Sequence, residues 1–221
     1  MNVLGFDTST AVSAACLLRG DGRAFEVVPA PEQLTGPPAH ARELMPAIVR
    51  CMGDAGVAFP DLDVIAVGVG PGAFTGLRIG VSTARALADP HDTELRPVSS
   101  PAALAAASPE PLCLPLIDAK RGEVFAALFE GDRVLWPPFA ATPDDVAGRI
   151  TEAGVDPLAV GDGSVRFREV LEAAGVRVAP TGSGSHVVRG LSICRLAAAA
   201  PPVSPDAVLP DYLRLPDAKP R

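Results

Sequence analysis

The sequence predicts an α/β fold made of two similar lobes, and three observations lead to this prediction. Predicted strands and helices alternate along the chain, which is typical of helices packed on sheets. Residues 2–21 and 113–132 match without a gap, which indicates an internal duplication. The chain has 221 residues, 48% of them hydrophobic, enough for a real core in one large domain or in two small lobes.

The first half of the chain is predicted to alternate strands with two long helices. Short apolar runs bounded by turn residues predict strands at NVLGFD, STAVSAACLLRG, AFEVVPA and DVIAVGVG. Apolar residues at helical spacing predict a helix, HARELMPAIVRCMGDAG, which Gly53 and Gly56 end. A proline-rich loop, PEQLTGPPA, precedes this helix, and a second helix, GLRIGVSTARALA, follows the glycines of GVGPGAF.

The second half repeats this order. In the gapless match Asp7 falls on Asp118, and the other identities are Ala15 with Ala126, Leu17 with Leu128, Gly20 with Gly131 and Asp21 with Asp132. A helix (PDDVAGRITEAG), a short strand ending in glycine (PLAVG) and a second helix (SVRFREVLEAAG) then follow. A duplicated unit that begins with a strand, an acid and a hairpin is the pattern of the actin-like, ribonuclease-H-like (ASKHA) lobe. We therefore predict this fold, with mixed sheets and flanking helices.

The boundary between the lobes is predicted near residues 98–110, in the run SSPAALAAASPEP, which gives lobes of residues 1–100 and 101–221. Prolines in WPPF and AAPPVSP are assigned to connections, where they rigidify loops, and SGSH at 183–186 is assigned to a flexible loop. The tail PDYLRLPDAKPR carries Tyr212, the single tyrosine. Its first half is expected to pack on the body and its end to fray.

Composition argues against several classes of function. The net charge is −7 and no basic run is present, so binding of nucleic acid by the chain itself is not expected, because phosphate neutralisation needs clustered cations. None of the four cysteines forms a CxxC pair, which indicates buried, reduced thiols. The N-terminus lacks a basic residue before its apolar stretch, and no apolar run could span a bilayer. A cytoplasmic protein without membrane contact is expected.

The glycine-rich stretch GVGPGAFTGLRIG, residues 68–80, raises the question of phosphate binding. A P-loop requires a lysine and a hydroxyl after its last glycine, whereas Leu77 follows Gly76 here. The stretch is therefore predicted to be a tight turn between a strand and a helix, whose glycines allow positive φ and close packing. Amides at the start of that helix could still meet an anion.

The remaining reactive residues do not form a recognisable catalytic constellation. Asp7 is followed by Thr8, and its carboxylate is expected to accept hydrogen bonds from amides of its own turn. Asp118 is followed by Ala119, Lys120 and Arg121, which crowd the place where phosphates would enter an actin-like ATPase. The chain has no G-x-S-x-G motif, and its histidines, His40, His91 and His186, lie far apart. We predict no catalytic residue and no metal site.

Five motifs together resemble the bacterial TsaB family, also called YeaZ. They are FDTST, HARELMP, GPGAFTGLRIG, DAKRGEVF and P-x-YLR, and they span nearly the whole chain in the right order. The family usually has Ser at the position of Ala73. The resemblance implies an actin-like subunit without a catalytic centre. It would pair with its paralogue TsaD, an enzyme with a His-x-x-x-His metal pair, and work with the ATPase TsaE to make threonylcarbamoyladenosine at adenosine 37 of transfer RNA.

The resemblance also implies where the partner binds. Both long helices carry a second apolar stripe, which fits either packing inside the chain or a partner surface, and the family uses these helices to build a bundle with TsaD. The predicted interface residues are His40, Leu44, Met45, Val49, Met52, Arg78, Val81, Ser82 and Arg85. No cofactor of its own is expected. ATP or ADP could bind at the shared interface near Asp7, Thr8, Gly70 and Gly72.

Two alternatives stay open at this stage. The chain could be an autonomous actin-like, ATP-dependent phosphotransferase, which tight binding of magnesium ATP by the isolated chain would support. It could also be a homodimeric scaffold, because an apolar patch without its partner tends to pair with its own copy. If the chain does pair with TsaD, TsaE and transfer RNA are expected to be reached only through that complex.

Overall fold

The computed structural model describes residues 1–213. The first half folds as β1 (Val3–Asp7), β2 (Ala14–Leu18), β3 (Ala24–Val27), α1 (His40–Ala55), β4 (Val64–Gly70), α2 (Phe74–Ala88), β5 (Glu94–Ser99) and α3 (Ser100–Ala106). The second half folds as β6 (Leu112–Lys120), β7 (Glu123–Glu130), β8 (Arg133–Ala141), α4 (Pro143–Ala153), β9 (Leu158–Val160), α5 (Asp162–Arg166), α6 (Arg168–Ala173), β10 (Arg177–Val178) and α7 (Gly190–Ala199).

The two halves build mixed sheets of the same topology. The first sheet has the order β3-β2-β1-β4-β5, and the second has the order β8-β7-β6-β9-β10. In each half the first three strands form an antiparallel meander. The fourth strand then pairs parallel to the first, and the fifth pairs parallel to the fourth. Strand β1 therefore corresponds to β6 and β2 to β7, as the gapless sequence match predicts. The predicted duplicated, actin-like fold is confirmed.

Helices pack on both faces of the two sheets. Helices α1 and α2 cover one face of the first sheet with apolar side chains such as Leu44, Ile48 and Val81. Helices α3 and α7 lie between the sheets, where Leu104 and Ile193 join one continuous apolar core. Helices α4 and α6 cover the far face of the second sheet. The helix layer formed by α1 and α2 is thus an outer layer of the molecule.

Helix α7 approaches the first sheet very closely, and glycines make this possible. A Cβ atom added to Gly190 would lie 2.7 Å from the backbone of Ala15, and one added to Gly5 would lie 2.6 Å from Sγ of Cys194. Just before the helix, the Arg189 guanidinium donates to the Glu26 carboxylate on β3, with Nε at 3.1 Å. The sequence patterns did not predict α7, which lies late in the sequence and packs on the first sheet.

One loop prediction from proline content was wrong. WPPF lies inside β8, an edge strand of the second sheet. An edge strand tolerates proline because the missing N–H faces outward, and the pairing with β7 shifts register between Phe139 and Trp136. The run in which the lobe boundary is predicted, 98–110, contains the end of β5 and helix α3.

Two further element predictions need correction. The predicted helix SVRFREVLEAAG is interrupted at Phe167 and forms α5 and α6. SGSH at 183–186 is a short 3-10 turn rather than a flexible loop, and His186 in it is fully buried. Its Nδ1 lies 3.2 Å from Oγ of Ser164. Hydrogen bonds to buried polar groups hold this segment in place, and composition alone does not reveal such bonds.

Within the part of the chain that the structure describes, every helix is too short or too polar to cross a membrane.

The glycine loop and the candidate partner-binding face

The glycine loop between β4 and α2 packs tightly against the turn that follows β1. The Ala73 amide donates to the Ser9 carbonyl oxygen at 2.7 Å. A Cβ atom added to Gly72 would lie 2.4 Å from that same oxygen, and one added to Gly76 would lie 2.0 Å from the Thr8 carbonyl oxygen. These glycines are therefore required for backbone approach. The loop sets the position of α2, in agreement with the predicted structural role of the turn.

Asp7 ties this turn to the rest of the lobe. Its carboxylate accepts hydrogen bonds from the Ser9 amide at 2.8 Å, the Ser9 hydroxyl at 2.6 Å and the Ser100 hydroxyl at 2.6 Å. The Ser100 oxygen also accepts from the Gly70 amide at 3.2 Å. Burial raises the pKa of Asp7 above its ordinary value, against the opposing effect of these hydrogen bonds. The Asp7 carboxylate therefore bonds to groups of its own chain, among them an amide of its own turn, as the sequence predicts.

The predicted nucleotide contacts are revised by this packing. Asp7, Thr8 and Gly70 are buried, and the Thr8 hydroxyl donates to the Gly76 carbonyl oxygen at 2.8 Å. Only Gly72 of the four predicted positions keeps part of its surface. Side chains that already bond to their own chain and have no exposed surface cannot meet a phosphate in this conformation.

The corresponding corner of the second lobe is closed by ion pairs. The Asp118 carboxylate accepts from Nζ of Lys120 at 2.8 Å and from Nη1 of Arg166 at 3.2 Å. Beneath it, the buried Asp162 carboxylate accepts from the Asp118 amide at 3.1 Å, and burial raises the pKa of Asp162 to about 7. Lys120 and Arg121 have positive φ angles of 63° and 57°. Long cationic side chains crowd this corner, as the sequence indicates.

His40 lies at the start of α1 but does not reach the surface. Its Nδ1 lies 2.9 Å from Oγ of Ser13, and burial lowers its pKa. Its Nε2 is buried and makes no hydrogen bond within residues 1–213. The same described residues contain no group of three or more His, Cys, Asp and Glu side chains placed to hold a metal ion.

The predicted interface residues on α1 divide between the core and the surface. Leu44 and Met52 are buried against the first sheet, like His40. Met45 and Val49 point outward, with 39% and 55% of their surface exposed. The assignment of His40, Leu44 and Met52 to a partner surface is therefore revised, because their side chains belong to the chain's own core. Met45 and Val49 form an exposed apolar pair one turn apart.

On α2 the division is similar. Val81 is buried in the core, so its assignment to a partner surface is also revised, whereas Arg78 and Ser82 are exposed and Arg85 is partly exposed. Arg85 is engaged by the chain itself: its Nη2 donates to the Val208 carbonyl oxygen at 2.9 Å and to the Asp206 carbonyl oxygen at 3.3 Å. A partner could reach Arg78 and Ser82 without disturbing the core.

A C-terminal strap, residues 203–213, runs along the outer edge of α2. Val208 is fully buried beside α2, and the Asp211 amide donates to the Val69 carbonyl oxygen at 2.7 Å. Nε of Arg78 donates to the Tyr212 hydroxyl at 3.1 Å. The expected packing of the first half of the tail is confirmed as far as residue 213, and the predicted fraying of its end lies outside the described residues. Sequence reasoning missed only which helix the strap covers.

Comparisons with known proteins agree with this architecture. Residues 32–150, more than half of the chain, match the family model described as TsaD, tRNA N6-adenosine threonylcarbamoyltransferase. The chain is 29% identical over 228 residues to the tRNA threonylcarbamoyladenosine biosynthesis protein TsaB of Bacillus subtilis (strain 168), with 99% of this chain and 96% of that protein covered. It is also 31% identical over 230 residues to an uncharacterized protein of Mycobacterium leprae (strain TN). That alignment covers 99% of this chain but only 56% of the relative.

A solved structure shows the same fold over almost the whole length. YeaZ from Pseudomonas aeruginosa superposes with a TM-score of 0.77 at 28% identity, over 96% of this chain and 99% of that one. The agreement therefore includes both lobes, the glycine loop and the paired helices α1 and α2. The chain belongs to the TsaB (YeaZ) family.

Proposed function

We propose that the chain is a non-catalytic subunit of the machinery that makes threonylcarbamoyladenosine at adenosine 37 of transfer RNA. In this proposal it pairs with TsaD through the outer layer of α1 and α2 and keeps TsaD in its competent conformation. The ATPase TsaE and transfer RNA are reached through the complex. The names of the TsaB relatives and the match to the TsaD family model support this role.

The observation that carries the proposal is the exposed apolar pair Met45 and Val49 on α1. Large apolar side chains that lie together on an outer helix favour contact with another protein, and methionine adapts readily to a partner surface. The adjacent helix α2 offers the small, exposed side chain Ser82, which permits close approach of another helix. A flat helical face of this kind suits a helical bundle across two subunits.

The closed corners of both lobes argue against an autonomous phosphotransferase. Asp7 is bonded to Ser9 and Ser100, and Asp118 is paired with Lys120 and Arg166. An actin-like ATPase would need both acids free for magnesium and phosphate. A nucleotide at the interface with TsaD would have to be held by groups other than Asp7 and Thr8.

The test is a binding and activity measurement with TsaD and TsaE from the same organism. Val49→Asp replaces one member of the exposed apolar pair by a charged residue. It is expected to weaken TsaD binding at least about 100-fold, since a desolvated, unpaired charge costs several kcal/mol. Threonylcarbamoyl transfer to transfer RNA should fall with complex formation. Val81→Asp is unsuitable, because Val81 is buried and the variant would lose its fold.

Val134→Asp is the matched control, because Val134 is 51% exposed on β8 of the other lobe. It should bind TsaD like the unmodified chain. Failure of the unmodified chain to bind TsaD or to stimulate transfer would overturn the proposal. A stable self-pair that TsaD cannot dissociate would favour the homodimeric scaffold, and tight binding of magnesium ATP by the isolated chain would favour the phosphotransferase.

A further inference from the structure

Arg78 on α2 is held in place by two aromatic side chains. Its guanidinium carbon lies 4.0 Å from the centre of the Phe74 ring. The Tyr212 ring of the strap lies 5.0 Å from the Phe74 ring, centre to centre, and its hydroxyl accepts from Nε of Arg78 at 3.1 Å. One face and one edge of the guanidinium are thus fixed by residues from two distant parts of the sequence.

Among the described residues, the outer edge of the same guanidinium has no bonding partner. Within residues 1–213, no carboxylate lies within 4.0 Å of Arg78, and its two Nη atoms make no hydrogen bond. Helix α2 itself contains no Asp or Glu. By contrast, the exposed Arg177 is bound by both Glu110 and Asp156. Both Nη atoms of Arg78 are thus unpaired in the described part of the chain, although Phe74 and Tyr212 hold the guanidinium in place.

Arg78 also occupies the middle of the outer layer. Helix α1 packs over β2 and β3, α2 packs over β4, and Val208 of the strap packs beside α2 in the same apolar cluster. The order across the layer is therefore α1, α2 and strap. Met45 and Val49 are exposed on one side of α2, and Leu209 and Leu213, with 60% and 38% of their surface exposed, belong to the strap on the other.

We propose that Arg78 is a preorganised receptor for a carboxylate side chain of the partner subunit, at the centre of a face that includes the strap. This inference rests on the proposed pairing with TsaD and adds to it the chemistry of one contact. The planar guanidinium presents two parallel N–H donors, which match a carboxylate in a bidentate pair. Its stacking on Phe74 and its bond to Tyr212 remove most of the ordering cost that a free arginine would carry on binding.

The experiment measures TsaD affinity by calorimetry at low and at physiological salt for the unmodified chain and for Arg78→Ala, Arg78→Lys and Tyr212→Phe. Arg78→Ala is expected to weaken binding about tenfold or more and to flatten its salt dependence, because the charge pair is lost. Arg78→Lys should restore the salt dependence but little of the affinity, since an ammonium ion lacks the fork. Tyr212→Phe should lower the affinity by a smaller factor.

Arg149→Ala is the matched control, because the Arg149 guanidinium also stacks on aromatic rings, 4.3 Å from that of Trp136 and 4.5 Å from that of Phe139, but in the other lobe. It should leave TsaD affinity unchanged. Far-ultraviolet circular dichroism checks that each variant is folded, and Arg78→Lys serves in place of Arg78→Ala should the latter unfold.

Three results would overturn the inference. Arg78 variants with unchanged affinity and salt dependence, while Val49→Asp abolishes binding, would remove this inference alone and leave the proposed function standing. Loss of transfer-RNA binding by the complex without any loss of TsaD affinity would assign Arg78 to phosphate rather than to a carboxylate of the partner. Absence of any TsaD binding by the unmodified chain would remove the proposed function and this inference together.

Discussion

The single residues that matter most to this fold are glycines that let two backbone segments approach closely, rather than residues with reactive side chains. Gly76 and Gly80 stand one turn apart on α2, where a Cβ atom would lie 2.0 Å from the Thr8 carbonyl oxygen and 2.5 Å from the Thr8 hydroxyl oxygen. Glycine is normally unfavourable inside a helix. Here it lets the helix rest on the turn after β1, so that the motif typical of phosphate loops serves packing.

Gly76→Ala should therefore destabilise the fold, by about 1 to 3 kcal/mol as for other overpacked sites. Gly148→Ala is the matched control, because Gly148 lies inside α4 with nothing within 4 Å of an added Cβ atom. It should stabilise the fold by about 1 kcal/mol through helix propensity. Urea unfolding monitored by circular dichroism measures both changes, and equal effects of the two substitutions would contradict the packing explanation.

Asp162 should make the stability of the protein depend on pH. Burial raises the pKa of Asp162 to about 7, with the nearby Asp118 carboxylate adding to the rise and Lys120 opposing it. The folded state then takes up the proton more readily than the unfolded chain, whose aspartates titrate near pH 4. The contribution of Asp162 to the free energy of unfolding is greatest below about pH 4 and is lost as the pH rises towards about 7.

Asp162→Asn should remove this dependence, because the amide oxygen can still accept from the Asp118 amide but carries no charge. We expect the variant to be more stable than the unmodified chain at about pH 8, by a few kcal/mol, and to lose most of that advantage only at about pH 4, where the unfolded chain also takes up the proton. Unfolding midpoints in urea at the two pH values measure the difference. Parallel pH profiles of the two proteins would contradict the assignment of the titration to Asp162.

At the scale of elements, periodicity predicted the two long helices well but not what lies on them. The first helix was predicted from residue 40 and runs His40–Ala55, and the second starts at Phe74, two residues before its prediction. Apolar residues recurring three and four positions apart suffice for that. The packing of the tail was predicted, but its contact with β4 and the presence of α7 were not, because the neighbours are distant in sequence. The Val69 carbonyl oxygen accepts from the Asp211 amide, and Ala15 lies under Gly190.

The same reason limits the prediction of the partner-binding face. Spacing showed that Leu44, Met45, Val49 and Met52 lie on two faces of one helix, but it could not show which face meets the sheet. Burial against β2 decides this, and it separates the exposed pair Met45 and Val49 from the core. In the same way the lone Tyr212 could be noticed in the sequence, whereas its contact with Arg78 could not.

The strap should loosen when Arg85 is removed, because Nη2 of Arg85 donates to two of its carbonyl oxygens. Arg85→Ala is expected to speed hydrogen exchange of the Asp211 amide about tenfold or more, since local opening governs exchange at such sites. Arg50→Ala is the control, because Arg50 is exposed on α1 and pairs only with Asp54 within the described residues. Unchanged protection of Asp211 in Arg85→Ala would mean that the burial of Val208 and the contacts of Tyr212 hold the strap without Arg85.

At the scale of the whole molecule, the two lobes share one interior. The predicted division at residue 100 separates the strands of the two sheets, but the core between the sheets contains side chains from α3 and α7 together with both sheets. The internal duplication explains why the sheets could be predicted from sequence. The duplication extends to the helices between the sheets, because α3 follows β5 as α7 follows β10.

A chain that ends at Arg189 should therefore fail to reach the native state. It lacks α7 and the strap, so it exposes apolar residues of both sheets such as Val3 and Ile117. We expect strong binding of a hydrophobic dye and loss of the cooperative unfolding transition. A chain that ends at Leu213 keeps every described residue and should unfold like the full protein. Cooperative unfolding of the shorter chain would show that the sheets close without α7.

The position of α7 also has a consequence for how the protein is made. Domains usually fold in the order in which their segments leave the ribosome, and here the helix that fills the centre emerges after the strands of both sheets. Until it does, both sheets can pair their strands but leave their inner faces bare. A chain stalled during translation before residue 190 thus displays a large apolar surface, and the core between the two sheets can close only after α7 has been made.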